Sequence, residues 1–367
     1  MRRGEGLLRL PPSPTPAATC HASTPPDLFY NLQALRGYAA VSVATFHFAL
    51  IPAASVPWPY GSFGVDLFFV LSGFIIAWST RAGHHGFLMH RAIRVLPAYW
   101  IATGLFGVIV LIAMPTEAAL GWIGRSLLFL HGTDGRPPLL FVGWTLVYEL
   151  VFYLLYAGAL RAGPRRAPFL AIAALPVLAY GGRLIGLAPR DWPLLIEFAF
   201  GLAIFLWVDR RRTPFPPGAA LALVLVAAAL LYLLELGLHG RDGGAADQIR
   251  VAALGLPAAA VVLGLVQLER AGFALRSRPV LALGAASYAV YLLHPIVFSF
   301  VLPVAPGSYA RRFAVFTLLL AITIGVSLAF RAWIEVPMLR FMRRCLTGIA
   351  AAPSRATANV PSSREGM

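Results

Sequence analysis

Residues 216–237 read PPGAALALVLVAAALLYLLELG, twenty-two positions carrying one charge, Glu235. An α-helix needs about 20 apolar residues to cross the hydrocarbon of a bilayer, and an almost uncharged run of this length signals a span rather than a soluble core. Nine further runs of suitable length lie at 31–52, 61–80, 94–114, 139–160, 168–187, 192–208, 249–268, 280–301 and 313–334. The stretch 118–130 is shorter, ends at His131-Gly132, and reads as a re-entrant or interfacial segment. The whole chain agrees, being 59% hydrophobic and 12% charged against about 45–50% and about 25% in ordinary globular proteins. A solvent-facing enzyme, a disordered chain and a secreted disulfide scaffold are thereby excluded. The expected fold is an all-α integral membrane bundle of about ten transmembrane helices within residues 28–340. Flexible tails are expected at 1–27 and 341–367, and the first 27 residues hold no apolar core for a signal peptide.

The net charge of +15 does not mark a nucleic-acid binder. Such a protein carries its basic residues as a stripe on a soluble surface; here they form short clusters between apolar runs. With ten spans and the N-terminus inside, one side holds Arg81, Arg91 and Arg94, then Arg161, Arg165 and Arg166, then Arg210, Arg211 and Arg212, then Arg270, Arg276 and Arg278. The other side carries Arg125, Arg136, Arg183, Arg190, Arg241, Arg250, Arg311 and Arg312, spread more thinly. The positive-inside rule makes the dense side cytoplasmic, together with both termini. Counting 118–130 as a full span would move three of the four clusters outside. All 30 basic residues are Arg, so no Arg can be argued to have been preferred over Lys. Cys20 and Cys345 lie far apart, and no spacing suits a metal.

Ionisable groups inside spans are costly and each is a functional candidate: Arg36, His47, Asp66, Glu149, Glu197, Glu235, His294, Arg331 and Glu335. His47 and Glu149 read as the deepest. Arg36 and His47, eleven residues apart, fall on one helical face about 16 Å apart. A neutral imidazole there can take a proton from a hydroxyl; a core histidine bonded to a neighbouring helix is the plainer alternative. Glu149 could pair with His47 and orient it, as a carboxylate does in a hydrolase triad, or bond a Tyr or Trp on another helix. Arg91 and Arg94, at i and i+3, can present two guanidinium forks to one phosphate group, or serve only as a topology signal near anionic lipid. Tyr288, Tyr291 and His294 share one helical stripe ahead of Pro295, which suits a site or an interfacial aromatic belt.

Six segments together carry a resemblance. Leu35-Arg36 through His47, Gly64-Val-Asp-Leu-Phe-Phe-Val-Leu-Ser-Gly-Phe74, Arg91-Ala-Ile-Arg94-Val-Leu-Pro-Ala-Tyr-Trp100, Trp144-Thr-Leu-Val-Tyr-Glu149 with Phe152-Tyr153, Ser287-Tyr288 to His294, and Ile334-Glu335-Val-Pro337 occur in this order. Over residues 31–337 the chain resembles the acyltransferase-3 family of membrane O-acyltransferases. The resemblance implies transfer of an acyl group, usually acetyl, from cytoplasmic acyl-CoA to a hydroxyl of a cell-surface or exported carbohydrate or glycolipid, in a bacterial inner membrane. It implies His47 as general base or transient acyl carrier, Glu149 as its orienting or acid–base partner, and Arg36, Arg91 and Arg94 as donor-binding groups. Asp66, Ser72, Tyr288 and His294 follow as second-tier contacts, and Leu67, Phe68 and Phe69 as lining for the thioester arm. The expected partners are acyl-CoA, the carbohydrate acceptor and membrane lipid, with no metal and no nucleic acid. The rival reading is a proton-coupled transporter or flippase of a lipid-linked glycan, which has no need of the Arg-x-x-Arg pair.

Overall fold

A computed structural model describes residues 29–350 apart from 52–53, 55–59, 84, 131–136, 185–191, 212, 239–248 and 301–306. The tail at 1–27, the chain beyond 350, Cys20, His131, Arg136, Arg190, Arg212 and Arg241 lie outside the described residues. Among those described there is no β-strand. The helices are α1 Tyr30–Ala49, α2 Gly64–Thr80, α3 Phe87–Ala113, α4 Thr116–Leu127, α5 Trp144–Leu160, α6 Ala167–Leu184, α7 Ile196–Arg210 and α8 Pro217–Leu238. A π-helical turn, Val251–Gly255, leads into α9 Leu256–Arg270; α10 Arg278–Ala285, α11 Ser287–Ser299 and α12 Tyr309–Phe330 follow, and a second π turn, Arg331–Glu335, joins α12 to α13 Val336–Ala350.

A helix lies at each of the ten apolar runs, but the expectation of about ten spans is not met by length. Six helical stretches are long and apolar enough to cross a membrane: Phe87–Ala113, Phe141–Leu160, Trp192–Arg210, Pro217–Leu238, Val251–Arg270 and Tyr309–Cys345. A seventh arises if α10 and α11, bent by 68°, are taken as one. The shortfall has a local cause, because apolar runs include residues that turn. Gly61, at the start of the 61–80 run, has φ +130°, and α2 begins only at Gly64. The 12-residue α4 is too short to cross and packs on α3, where Tyr99 Oη donates to Ser126 O (2.9 Å) and Trp100 Nε1 to Leu127 O (3.1 Å). Residues 341–350 are helical, not a flexible tail. Their Met, Leu and Arg are helix formers, and Met338, Leu339 and Met342 form the less exposed stripe of α13.

Leu225, Leu233, Leu318 and Trp333 are exposed on α8, α12 and the turn after it, as a lipid-facing rim requires. The interior is organised on α2, which packs against α1, α5, α7 and α9. At its crossing with α7 a Cβ on Gly73 would lie 2.2 Å from Phe198 O, and one on Gly201 2.1 Å from Val70 O. Two bare glycines therefore let backbones touch, the close packing by which helices associate in lipid. The rings of Phe74 and Trp78 meet Phe29 (5.4 and 4.9 Å), so α2 ends where α1 starts.

Carboxylates from the second half of the chain cap both leading helices. Glu269 accepts from Tyr30 N and Asn31 N (both 2.8 Å), and Glu235 accepts from Gly61 N (2.9 Å) and Ser62 N (2.7 Å). These amides open α1 and α2, where backbone donors lack helical partners and the dipole favours negative charge.

Candidate active site

A cavity enclosing about 840 Å³ of empty space, mouth included, opens between α1, α2, α3, α5 and α11. Its polar lining comes from Arg36, Ser72, Arg91, Arg94, Glu149, Tyr153, Tyr288 and Tyr291, and its apolar wall includes Phe68, Phe69, Ile75 and Leu146. Helical spacing puts Arg91 and Arg94 on one face of α3, and Arg91 Nη2 donates to Ser79 Oγ (3.0 Å) while its guanidinium lies over the rings of Phe87 and Tyr153. Arg36, from the facing side of α1, has Arg94, Glu149, Tyr153 and Arg91 as electrostatic neighbours. Glu149 accepts from the Tyr153 hydroxyl and from Ser72 Oγ (3.4 Å). The ion pairs among the described residues are Arg250–Asp66 and Arg331–Glu335, so none of the three cavity arginines is tied to a carboxylate. The cavity holds a surplus of positive charge above an apolar wall.

His47 sits on the last turn of α1, nearer the helix end than its sequence context implied. Its Nδ1 is 3.1 Å from Nε2 of His294, their rings are stacked at 5.1 Å, and Phe141 closes over His47 at 4.8 Å. His294 is fully buried, with Nδ1 3.2 Å from Val290 O. The imidazole pair does not line the cavity, but α11 joins the two. Tyr288 and Tyr291 on the same stripe face the cavity, and the Tyr291 ring is 6.0 Å from that of His294. Tyr291 Oη bonds Thr145 Oγ1 (2.7 Å) and donates to Val142 O (3.1 Å); Tyr288 Oη donates to Val95 O (2.8 Å).

The structure thus brings Arg36, Arg91, Arg94, Glu149, Ser72 and Tyr288 to one cavity, and His47 and His294 to each other. Two expectations are corrected. Glu149 does not orient His47: its partners stand at the arginine end, and His294 occupies the place by His47 Nδ1. Asp66 does not join the site. On the turn that sends Val65 to the cavity, Asp66 points away and its Oδ2 meets Arg250 Nη2 at 2.6 Å. The sequence reading gave no role to Tyr153 beyond its motif, to Tyr291 beyond its stripe, or to Glu335. The last of these ends the π turn with Arg94 and Arg36 among its electrostatic neighbours. Its place inside an apolar span and the closing motif Ile334-Glu335-Val-Pro337 are the two sequence signals for it.

Fold and site define a polytopic membrane protein with a basic, apolar-walled cavity beside a histidine pair. The family described as "Acyltransferase domain", acyltransferase-3, matches residues 29–332. The exopolysaccharide production protein ExoZ of Rhizobium meliloti (strain 1021) is 31% identical over 315 residues, covering 79% of this chain and 94% of that protein. The acyltransferase MdmB of Streptomyces mycarofaciens is 26% identical over 384 residues, covering 90% of this chain and 96% of that protein. No solved structure matches. The chain belongs to the acyltransferase-3 family of membrane acyltransferases.

Proposed function

We propose that this membrane acyltransferase moves an acyl group, acetyl by preference, from acyl-CoA to a hydroxyl of an exported polysaccharide or related glycan. The observation that carries the reading is the set of three guanidinium groups, Arg36, Arg91 and Arg94, unpaired in one cavity with an apolar wall. Guanidinium forks match the oxygens of a pyrophosphate, and the wall of Phe68, Phe69 and Leu146 suits a thioester arm. The thioester then points along α11 past Tyr291 toward His47. His47 takes the proton as the acceptor oxygen attacks the carbonyl carbon. The C–O bond forms, the C–S bond breaks, and the imidazolium returns its proton to the departing thiolate. Loop basicity supports the arginine end as cytoplasmic and an inner-membrane location. The exopolysaccharide link in the name of one relative supports a glycan acceptor. Family membership favours group transfer over the transporter reading.

Inside-out vesicles carrying wild type or His47→Ala, supplied with radiolabelled acetyl-CoA and cell-envelope glycans, test the reading. Label should enter the carbohydrate fraction with wild type and fall by about 10³-fold in the variant, while acetyl-CoA binding persists. Equal labelling by both would remove His47 from the chemistry. Ion uptake driven by a glycan gradient, with no label transferred, would favour the transporter.

A further inference from the structure

We infer that His294 fixes the tautomer of His47, so that the Nε2 atom of His47 is the one that accepts the acceptor's proton. The inference rests on the acyl-transfer reading for its chemistry and on hydrogen-bond direction for its geometry. A carbonyl oxygen only accepts, so the contact between His294 Nδ1 and Val290 O (3.2 Å) places a hydrogen on that nitrogen. A neutral imidazole carries one N–H, which leaves Nε2 of His294 as a bare lone pair. That lone pair faces His47 Nδ1 at 3.1 Å. Two lone pairs at this distance repel; a hydrogen on His47 Nδ1 makes the contact a bond. The second nitrogen of His47, Nε2, is then the basic one.

Val43 O, one turn back on α1, is a second acceptor for the His47 ring; a hydrogen on Nδ1 shared between it and His294 Nε2 keeps this order. The Tyr291 hydroxyl, the nearest phenol, is committed to Thr145 and Val142, and Phe48 and Phe141 supply the other ring contacts of His294. During transfer the acceptor O–H bond breaks and an N–H bond forms at His47 Nε2; that proton later passes to sulfur. His294 neither gains nor loses a proton. It goes on accepting from Nδ1 while His47 is an imidazolium, the role a carboxylate plays in a hydrolase triad, filled here by a neutral dipole. A buried second ion would have to be desolvated; an imidazole does not. His294 is therefore a positioning residue, and Pro295 directly after it, having no N–H, frees Tyr291 O, which the His294 ring also engages.

The test separates an acceptor at Nε2 from a ring that only fills space. His294→Gln can place an amide oxygen opposite His47 Nδ1, whereas His294→Asn reaches only the Nδ1 position and His294→Phe offers no acceptor. The expected result is a loss in kcat of about 30-fold for the Asn and Phe variants, an unchanged KM for acetyl-CoA, and recovery to within about 5-fold of wild type for the Gln variant. On a His47→Ala background the same changes should cost nothing further. A Gln variant as slow as Asn at equal accumulation, or a full extra loss on His47→Ala, overturns the inference. Should the variants fail to accumulate, ¹⁵N NMR of histidine-labelled wild type decides it: the His47 resonances should report hydrogen on Nδ1, and hydrogen on Nε2 overturns the pairing. Because that spectrum needs no substrate, the pairing can stand or fall independently of acyl transfer.

Discussion

At one end of α2 three guanidinium groups, Arg36, Arg91 and Arg94, surround the carboxylate of Glu149 and line an open cavity. At the other end the proportions are inverted: the guanidinium of Arg250 has Asp66, Glu197 and Glu235 as neighbours. The second group is held largely by its own bonds. Arg250 bonds Asp66 Oδ2, Ser62 O and Ser62 Oγ, Glu235 caps two amides, and Glu197 is wholly buried. The same residue types thus serve two purposes. Charges spent on each other and on backbone donors hold helices in place, whereas the charges around the cavity are left without a carboxylate partner among the described residues. Position inside the bilayer makes every such residue a candidate, and the cavity separates those that line open space from those bonded to one another.

Substitutions can break this contrast, and the largest effect should come first. Joint replacement of Arg91 and Arg94 by Ala should weaken acetyl-CoA binding by about 10³-fold and leave the melting temperature in detergent unchanged. A large drop in melting temperature with affinity intact would reverse the assignment of the two ends. Asp66→Asn should do the opposite. Leaving Arg250 without its partner should cost about 3 kcal/mol of stability, seen in thermal unfolding, with donor affinity in the folded fraction preserved. Glu235→Gln keeps a weaker acceptor for Gly61 and Ser62 and should cost about 1 kcal/mol by the same measurement. Salt gives the mildest contrast. Raising sodium chloride tenfold should weaken donor binding several-fold through screening and leave the melting temperature nearly still; an affinity indifferent to salt would argue against a phosphate site at the arginines.

Much of the fold is legible along the chain because each helix answers to its own composition. Every apolar run contains a helix, and the pairing of Arg36 with His47 on one face, or of Tyr288 with Tyr291 and His294, follows from helical periodicity alone. What periodicity lacks is rotation of one helix against another. His47 and His294 are 247 residues apart, and nothing local says that their faces meet. The same gap hid the neighbours of Glu149, which on α1 and α3 are arginines, and of Asp66, which turns toward Arg250 ahead of the first π turn rather than the cavity. Span lengths failed for a different reason: hydropathy does not register a backbone turn such as that at Gly61.

The caps on α1 and α2 bear on the order in which the molecule comes together. The amides of Tyr30 and Asn31 find their acceptor 239 and 238 residues later, at Glu269, and that of Gly61 waits 174 residues for Glu235. A ribosome releases α1 and α2 long before α8 and α9 exist. Until then water or lipid headgroups must serve those helix ends, and the leading hairpin has no protein acceptor there to fix its height in the bilayer. Arg36 and His47 ride on that hairpin, so both reach their final depth only when translation has passed residue 269. A chain truncated before Glu269 should insert its first helices yet leave them adjustable by the length of a loose end.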